Sequence, residues 1–105
     1  MSPDDKRVYD SLMQCRSPVS ITTLLDLSQG LYSQWKLIGQ KLQLTQRDLA
    51  EIETAAGTDN KEACYQMLCR WREFNQQTAS LSRLADAIAQ TGYYVLLRCL
   101  QQHQR

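Results

Sequence analysis

Four glycines and two prolines in 105 residues leave long stretches with nothing to break a helix, because these two residues cost most inside one. Within those stretches apolar residues recur at intervals of three and four rather than alternating, the periodicity of a helix that buries one face. The chain is therefore expected to be all-α. A chain of this length should expose roughly 6,000 Å² when folded, which leaves room for one core and not for two. Hydrophobic residues at 43% and charged residues at 22% are those of a folded domain, away from the low-hydrophobicity, high-charge range of disorder.

Reading along the chain, Pro3 after Ser2 starts a short helix with Val8, Leu12 and Cys15 on one stripe, ending before Ser17-Pro18. A second helix begins with Ser17 or Ser20 as its cap, places Ile21, Leu24, Leu25 and Ser28 together, and is expected to stop at Gly30. From about Ser33, Trp35, Ile38, Gly39 and Leu42 fall at i, i+3, i+4 and i+7, one buried face. Gly39 lies on that face, so another part of the fold should approach it closely. Thr45 with Asp48 three residues on forms a short capping box before the stripe Leu49, Ile52 and Ala56, and Gly57 is the stop. After a turn at Asp59-Asn60, residues 61–74 bury Cys64, Met67, Leu68 and Trp71. Ser80 caps a helix with Leu81, Leu84, Ala85 and Ile88 on one face and Arg83 and Asp86 on the other, ended by Thr91-Gly92. A last helix is expected to turn Tyr93, Leu96, Leu97 and Leu100 inward before a polar tail.

The chemistry of catalysis is missing from this pattern. The single histidine, His103, lies three residues from the end, a poor place for the base of a nucleophile pair. Glu51 and Glu53 are two apart and point to different sides of a helix, so they form no acid–base pair. Cysteines at 15, 64, 69 and 99 are too scattered for a zinc site and make no C-x-x-C pair. They are expected to be reduced thiols, with Cys64 a small buried hydrophobe and Cys69 an inert residue on the helix flank rather than a redox sensor. Glycine-rich phosphate loops are absent. No enzyme, metal or cofactor is expected. Twelve basic against eleven acidic residues give no field to attract nucleic acid or acidic membrane. The apolar runs, such as residues 93–97, are far short of a bilayer span, and the N-terminus lacks the order of a secretory signal. The chain reads as cytosolic or nuclear.

The run Trp35-Lys36-Leu37-Ile38-Gly39-Gln40-Lys41-Leu42-Gln43-Leu44-Thr45, followed by Asp48-Leu49-x-x-Ile52-Glu53, resembles the first half of a death domain. That family's pattern is W-x-x-L-A-x-x-L-x-L-S and then D/E-I-x-x-I-E. Residues 61–71, Lys-Glu-Ala-Cys-Tyr-Gln-Met-Leu-Cys-Arg-Trp, are similar to the family's fourth helix, closest to the version in tumour necrosis factor receptors. Ala79-Ser80-Leu81-x-x-Leu84-x-x-Ala87-Ile88-x-x-Thr91-Gly92 resembles the fifth. Gly39 stands where the family usually has alanine, Leu37 where a charge is common, and residues 93–100 are more apolar than its sixth helix. The resemblance implies a six-helix antiparallel Greek-key bundle over residues 20–102, with an N-terminal extension over 1–19 that holds an extra short helix and a polar tail over 103–105. It also implies a module without catalytic residues that binds other death domains in cytoplasmic apoptotic or innate immune signalling, as an adaptor or receptor tail. A second option is a regulatory domain of a larger scaffold or netrin-receptor-like chain. The expected core is Trp35, Ile38, Leu42, Leu49, Ile52, Met67, Leu68, Trp71, Leu81, Leu84, Ile88 and Leu96.

Charge is uneven along the chain. Residues 45–62 hold five acids against two bases, and residues 63–105 hold five bases against two acids. This suggests an acidic patch of Asp48, Glu51, Glu53, Asp59 and Glu62, and a basic patch of Lys36, Lys41, Arg70 and Arg72 on another surface. Complementary patches on different surfaces make a heterologous contact, which propagates into open or helical assemblies. The resemblance points the same way, since one death-domain contact joins the first and fourth helices of one copy to the second and third of the next. Such an assembly, with other death domains or with itself, should weaken as salt rises from about 50 to about 500 mM. The alternative is a solvated surface with unrelated charges. A helix-turn-helix nucleic-acid binder, drawn from residues 45–56 and 61–74, has the wrong charge for phosphate.

Overall fold

Ser2, Ser20, Thr45, Asp59 and Ser80 each accept, on a side-chain oxygen, the backbone N–H three residues ahead. Each cap satisfies one of the donors that the first turn of a helix leaves unpaired. In the computed structural model, which describes residues 1–104, the helices are α1 Pro3–Leu12, α2 Ile21–Leu31, α3 Trp35–Lys41, α4 Gln46–Ala56, α5 Asn60–Asn75, α6 Leu81–Thr91 and α7 Leu97–Gln101. The two uncapped helices, α3 and α7, grow instead out of tight 3-10 turns at Tyr32–Gln34 and Tyr94–Leu96. Arg105, the last residue of the expected tail, lies outside the described residues.

The sixteen-residue α5 is the centre of the bundle and buries Ala63, Cys64, Met67, Leu68 and Trp71. It packs against α2, α3 and α4, while α6 crosses α3 and pairs with α7. Helices α2 to α7 thus form the expected six-helix bundle around one core, and the whole chain exposes 6099 Å². Lys61 sits 5.2 Å over the Tyr32 ring, and Arg72 Nε donates to the Val19 carbonyl at 2.8 Å. Both ends of α5 are thereby tied to opposite ends of α2, so the two run antiparallel. Burial pushes the Cys64 thiol up to about 12, which leaves it unreactive in the native state. All four cysteines are free thiols.

Three sequence expectations change. Gly30 does not end α2, which runs to Leu31 and on into the 3-10 turn. Its role is close approach, because a Cβ there would lie 2.7 Å from Cys99 Sγ on α7. Ile21 and Leu25 do not face the core but are 43% and 50% exposed, and Leu27 and Leu31 are buried with Leu24 and Ser28 instead. Leu96, expected in the core, is only half-buried, and Tyr93 is exposed. The last helix starts at Leu97, so the buried pair is Leu97 and Leu100. The other expected core residues are all buried.

The turn after α3 is a Schellman motif. Leu44 N–H donates to the Gly39 carbonyl at 3.0 Å and Gln43 N–H to that of Gln40 at 3.1 Å, the paired bonds that close a helix C-terminus. Gln43 takes the left-handed position of that motif, with φ 73°, where glycine is normally favoured. Gln43→Gly should therefore raise stability by about 0.5–1 kcal/mol, read as a higher urea midpoint with an unchanged slope.

Candidate interaction surface

Arg70 lies at i+3 from Met67 and i+7 from Ala63, both buried. It therefore sits on the edge of the buried face, where α4 packs, and not on a separate basic surface. Its Nη1 reaches Asp48 Oδ1 at 3.2 Å, the Asp48 carbonyl at 3.4 Å and Glu51 Oε2 at 3.5 Å. Lys36 is paired with Glu53 and lies 5.8 Å from the Trp35 ring, and Arg47 pairs with Glu51 at 3.3 Å. The acidic and basic groups therefore do not occupy separate surfaces. They interleave across α3, α4 and α5, and much of their charge is cancelled within the chain.

Several of these residues also have local work. Asp48 accepts from Thr45 N–H at 3.0 Å and from the Thr45 hydroxyl at 2.9 Å, while its own N–H donates back to Thr45 Oγ1 at 3.1 Å. This is the capping box that starts α4. The Thr45 amide, then the Thr45 hydroxyl, and then Arg70 hold the Asp48 carboxyl below the usual carboxylate range. A carboxyl with a lowered native pKa adds stability above its unfolded value and loses that contribution as pH falls through the native one. At neutral pH Asp48→Asn should therefore cost about 0.5–1 kcal/mol. That deficit should vanish in denaturation curves taken well below pH of about 4. Asp59 caps α5 by accepting Glu62 N–H at 3.0 Å, and Glu62 accepts from Gln66 Nε2 at 3.0 Å. Arg72 is the brace to Val19 already described.

Among the described residues Lys41, Lys61, Arg72, Asp59 and Glu62 make no ion pair. Sequence reasoning missed two features here. Arg83, expected on an outer face, is half-buried and donates from Nη2 to the Lys41 carbonyl at 2.9 Å, capping the end of α3. The second is a line of exposed apolar side chains, Ile21, Leu25 and Tyr32, on the flank of α2 beside α5. A signal for it was present, because Ile21, Leu24, Leu25, Leu27, Leu31 and Tyr32 span more of the helix circumference than one neighbour can cover. On α5 the half-buried Tyr65 and Cys69 border this line, and Lys61 and Arg72 stand at its two ends.

Across the bundle α4 presents Ala50, Glu51, Thr54 and Ala55 to solvent, a low surface of small residues with acidic edges. No group of His, Cys, Asp and Glu among the described residues is arranged to hold a metal ion, and no helix among them is long and apolar enough to cross a membrane. What the surface offers is shape, apolar area and rim charge. Those serve to bind another folded surface.

Comparison with known proteins agrees with this architecture. The pattern that defines the Death domain matches residues 19–104, from the start of α2 through α7. No curated protein and no solved structure matches the chain. With most of its length covered by the family pattern and its six helices in the family's order, the chain belongs to the death-domain family, whose members are protein–protein interaction modules that bind other death-fold domains.

Proposed function

We propose that this domain recruits other death-domain proteins, and copies of itself, through an asymmetric head-to-tail contact in cytoplasmic apoptotic or innate immune signalling, as an adaptor or receptor tail. The observation that carries the reading is the exposed line of Ile21, Leu25 and Tyr32 on α2. It offers an apolar ridge with Lys61 at one end and Arg72 at the other, while α4 offers small residues edged by Glu51 and Glu53. Ridge and flat surface lie on different parts of the molecule, so one copy can present the first while receiving with the second. A contact of that kind repeats into an open or helical assembly.

The centre of this contact is apolar, and its rim is formed by Lys61 and Arg72 at the ends of the ridge and by Asp59 and Glu62 at the start of α5. Rim charges set association rate and partner choice more than strength. Salt should therefore slow association and weaken it modestly. Arg70, Lys36, Asp48, Glu51 and Glu53 contribute less, because their charges are already met within the chain.

The test is light-scattering mass against concentration for the wild type and for Leu25→Asp, with circular dichroism to confirm folding. Leu25 is half exposed, so the variant should fold normally. A charge at the centre of the contact should weaken association by about 2 kcal/mol or more, roughly thirtyfold. Undiminished association by folded Leu25→Asp would remove this face from the contact. If the wild type stays monomeric, the same comparison is made by pull-down with candidate death domains.

A further inference from the structure

We infer that the face formed by α6 and α7 is a docking groove for an amphipathic helix, filled in cis by α1 and open to the α1 of a second copy in a swapped dimer. Helix α1 precedes the residues that match the family pattern. Helix α1 lies as an added helix on α6 and α7, and its Val8 and Leu12 join the edge of the bundle's core.

The attachment is small. Val8 and Leu12 are the buried residues of α1, with Tyr9 and Met13 partly covered beside them. Around this pair lie three side-chain tethers: Asp5 to Arg98 at 3.4 Å, the Tyr9 hydroxyl to Asp86 at 3.5 Å, and Gln104 to Ser11. The first two are long, and the Arg98 end of the ionic one is half exposed, so each adds little. Two backbone bonds hold the connection to α2, Ser82 N–H to the Cys15 carbonyl at 3.0 Å and Val19 N–H to the Ala79 carbonyl at 2.8 Å.

A helix of ten residues is marginal by itself in water. Its docking therefore forms a separate low-stability unit that leaves and returns while the bundle stays folded. The groove selects a definite chemistry. It takes an acid near the helix start for Arg98, a tyrosine hydroxyl for Asp86, and a Val/Leu pair one turn apart. A second copy carries that same helix, so a swapped α1 makes identical contacts and protein concentration decides between cis and trans. This face is separate from the α2, α4 and α5 surfaces proposed for head-to-tail assembly.

The test uses the full chain, wild type and Leu12→Asp, with a fluorescent peptide of residues 1–16 as the probe. Leu12→Asp should eject its own α1, keep the helical signal of the bundle, and bind the peptide at least tenfold more tightly than the wild type does. A peptide carrying Leu12→Asp should not bind. Wild type refolded at high concentration should contain a dimer that Leu25→Asp still forms and Leu12→Asp does not, which separates this site from the head-to-tail contact. Folded Leu12→Asp that ignores the peptide would overturn the inference. If Leu12→Asp does not fold, hydrogen exchange on the wild type decides. Amides of α1 exchanging at least tenfold faster than the buried amides of α5 support a detachable helix. Equal rates mean that α1 leaves only on global unfolding, and there is no groove to fill.

Discussion

Trp71→Ala is expected to cost roughly 3–5 kcal/mol, enough to unfold a domain at the low end of the usual stability range. Trp71 is fully buried on α5, the one helix that touches α2, α3 and α4. Removing its ring opens a cavity in the core, and a close-packed interior closes such a cavity only in part. Domains of this size have about 5–15 kcal/mol in total, so the loss takes from about a fifth to all of what is available. Urea denaturation followed by circular dichroism should show a much lower midpoint. A loss under about 1 kcal/mol would mean that the core collapses around the gap. The Trp71 carbonyl also accepts from Asn75 Nδ2 at 2.8 Å, a bond that alanine keeps, so the measured loss reports the side chain.

Gly39→Leu is expected to cost about 1–3 kcal/mol by overpacking. A Cβ built on Gly39 would lie 2.7 Å from Leu49 Cδ2, 3.2 Å from Met67 Cγ and 3.7 Å from Leu44 Cδ1. Two helices, α4 and α5, and the turn after α3 converge on the bare backbone, and a side chain larger than methyl has nowhere to go. Gly39→Ala should behave differently. It gains about 1 kcal/mol of helix propensity and meets chiefly the tip of a leucine that can shift, so its net effect should lie close to zero. Thermal melts of the two variants side by side would check the pair. An equally large loss for alanine would show that Leu49 is locked.

Most of the helices were legible because their information is local. Ser20, Thr45 and Ser80 are capping residues in front of periodic stripes, and Gly92 takes the left-handed φ of 82° that ends α6. Trp35, Ile38, Met67, Leu68 and Trp71 were placed in the core by spacing alone. The failures share one cause. Gly30 was read as a stop signal because a glycine needed for close packing against Cys99 looks the same along the chain as one needed for a turn. Leu25 was placed inside because periodicity finds an apolar face and does not say how much of it a neighbour covers.

The candidate surface was less legible for the same reason. Counting charges along the chain separates an acidic segment over 45–62 from a basic one over 63–105, but Arg70 and Lys36, both assigned to the basic patch, fold onto Asp48, Glu51 and Glu53 of the acidic one. Ion pairs form between residues close in space, and the distance from 48 to 70 along the chain says nothing about that. Helix type, helix ends and the family itself therefore follow from short-range order in the amino acids. Which apolar side chains stay in water, which charges are left for a partner, and where α1 lies were decided only when α5 packed between α2 and α4 and α6 met α7, because burial and charge pairing depend on neighbours that tertiary structure brings together.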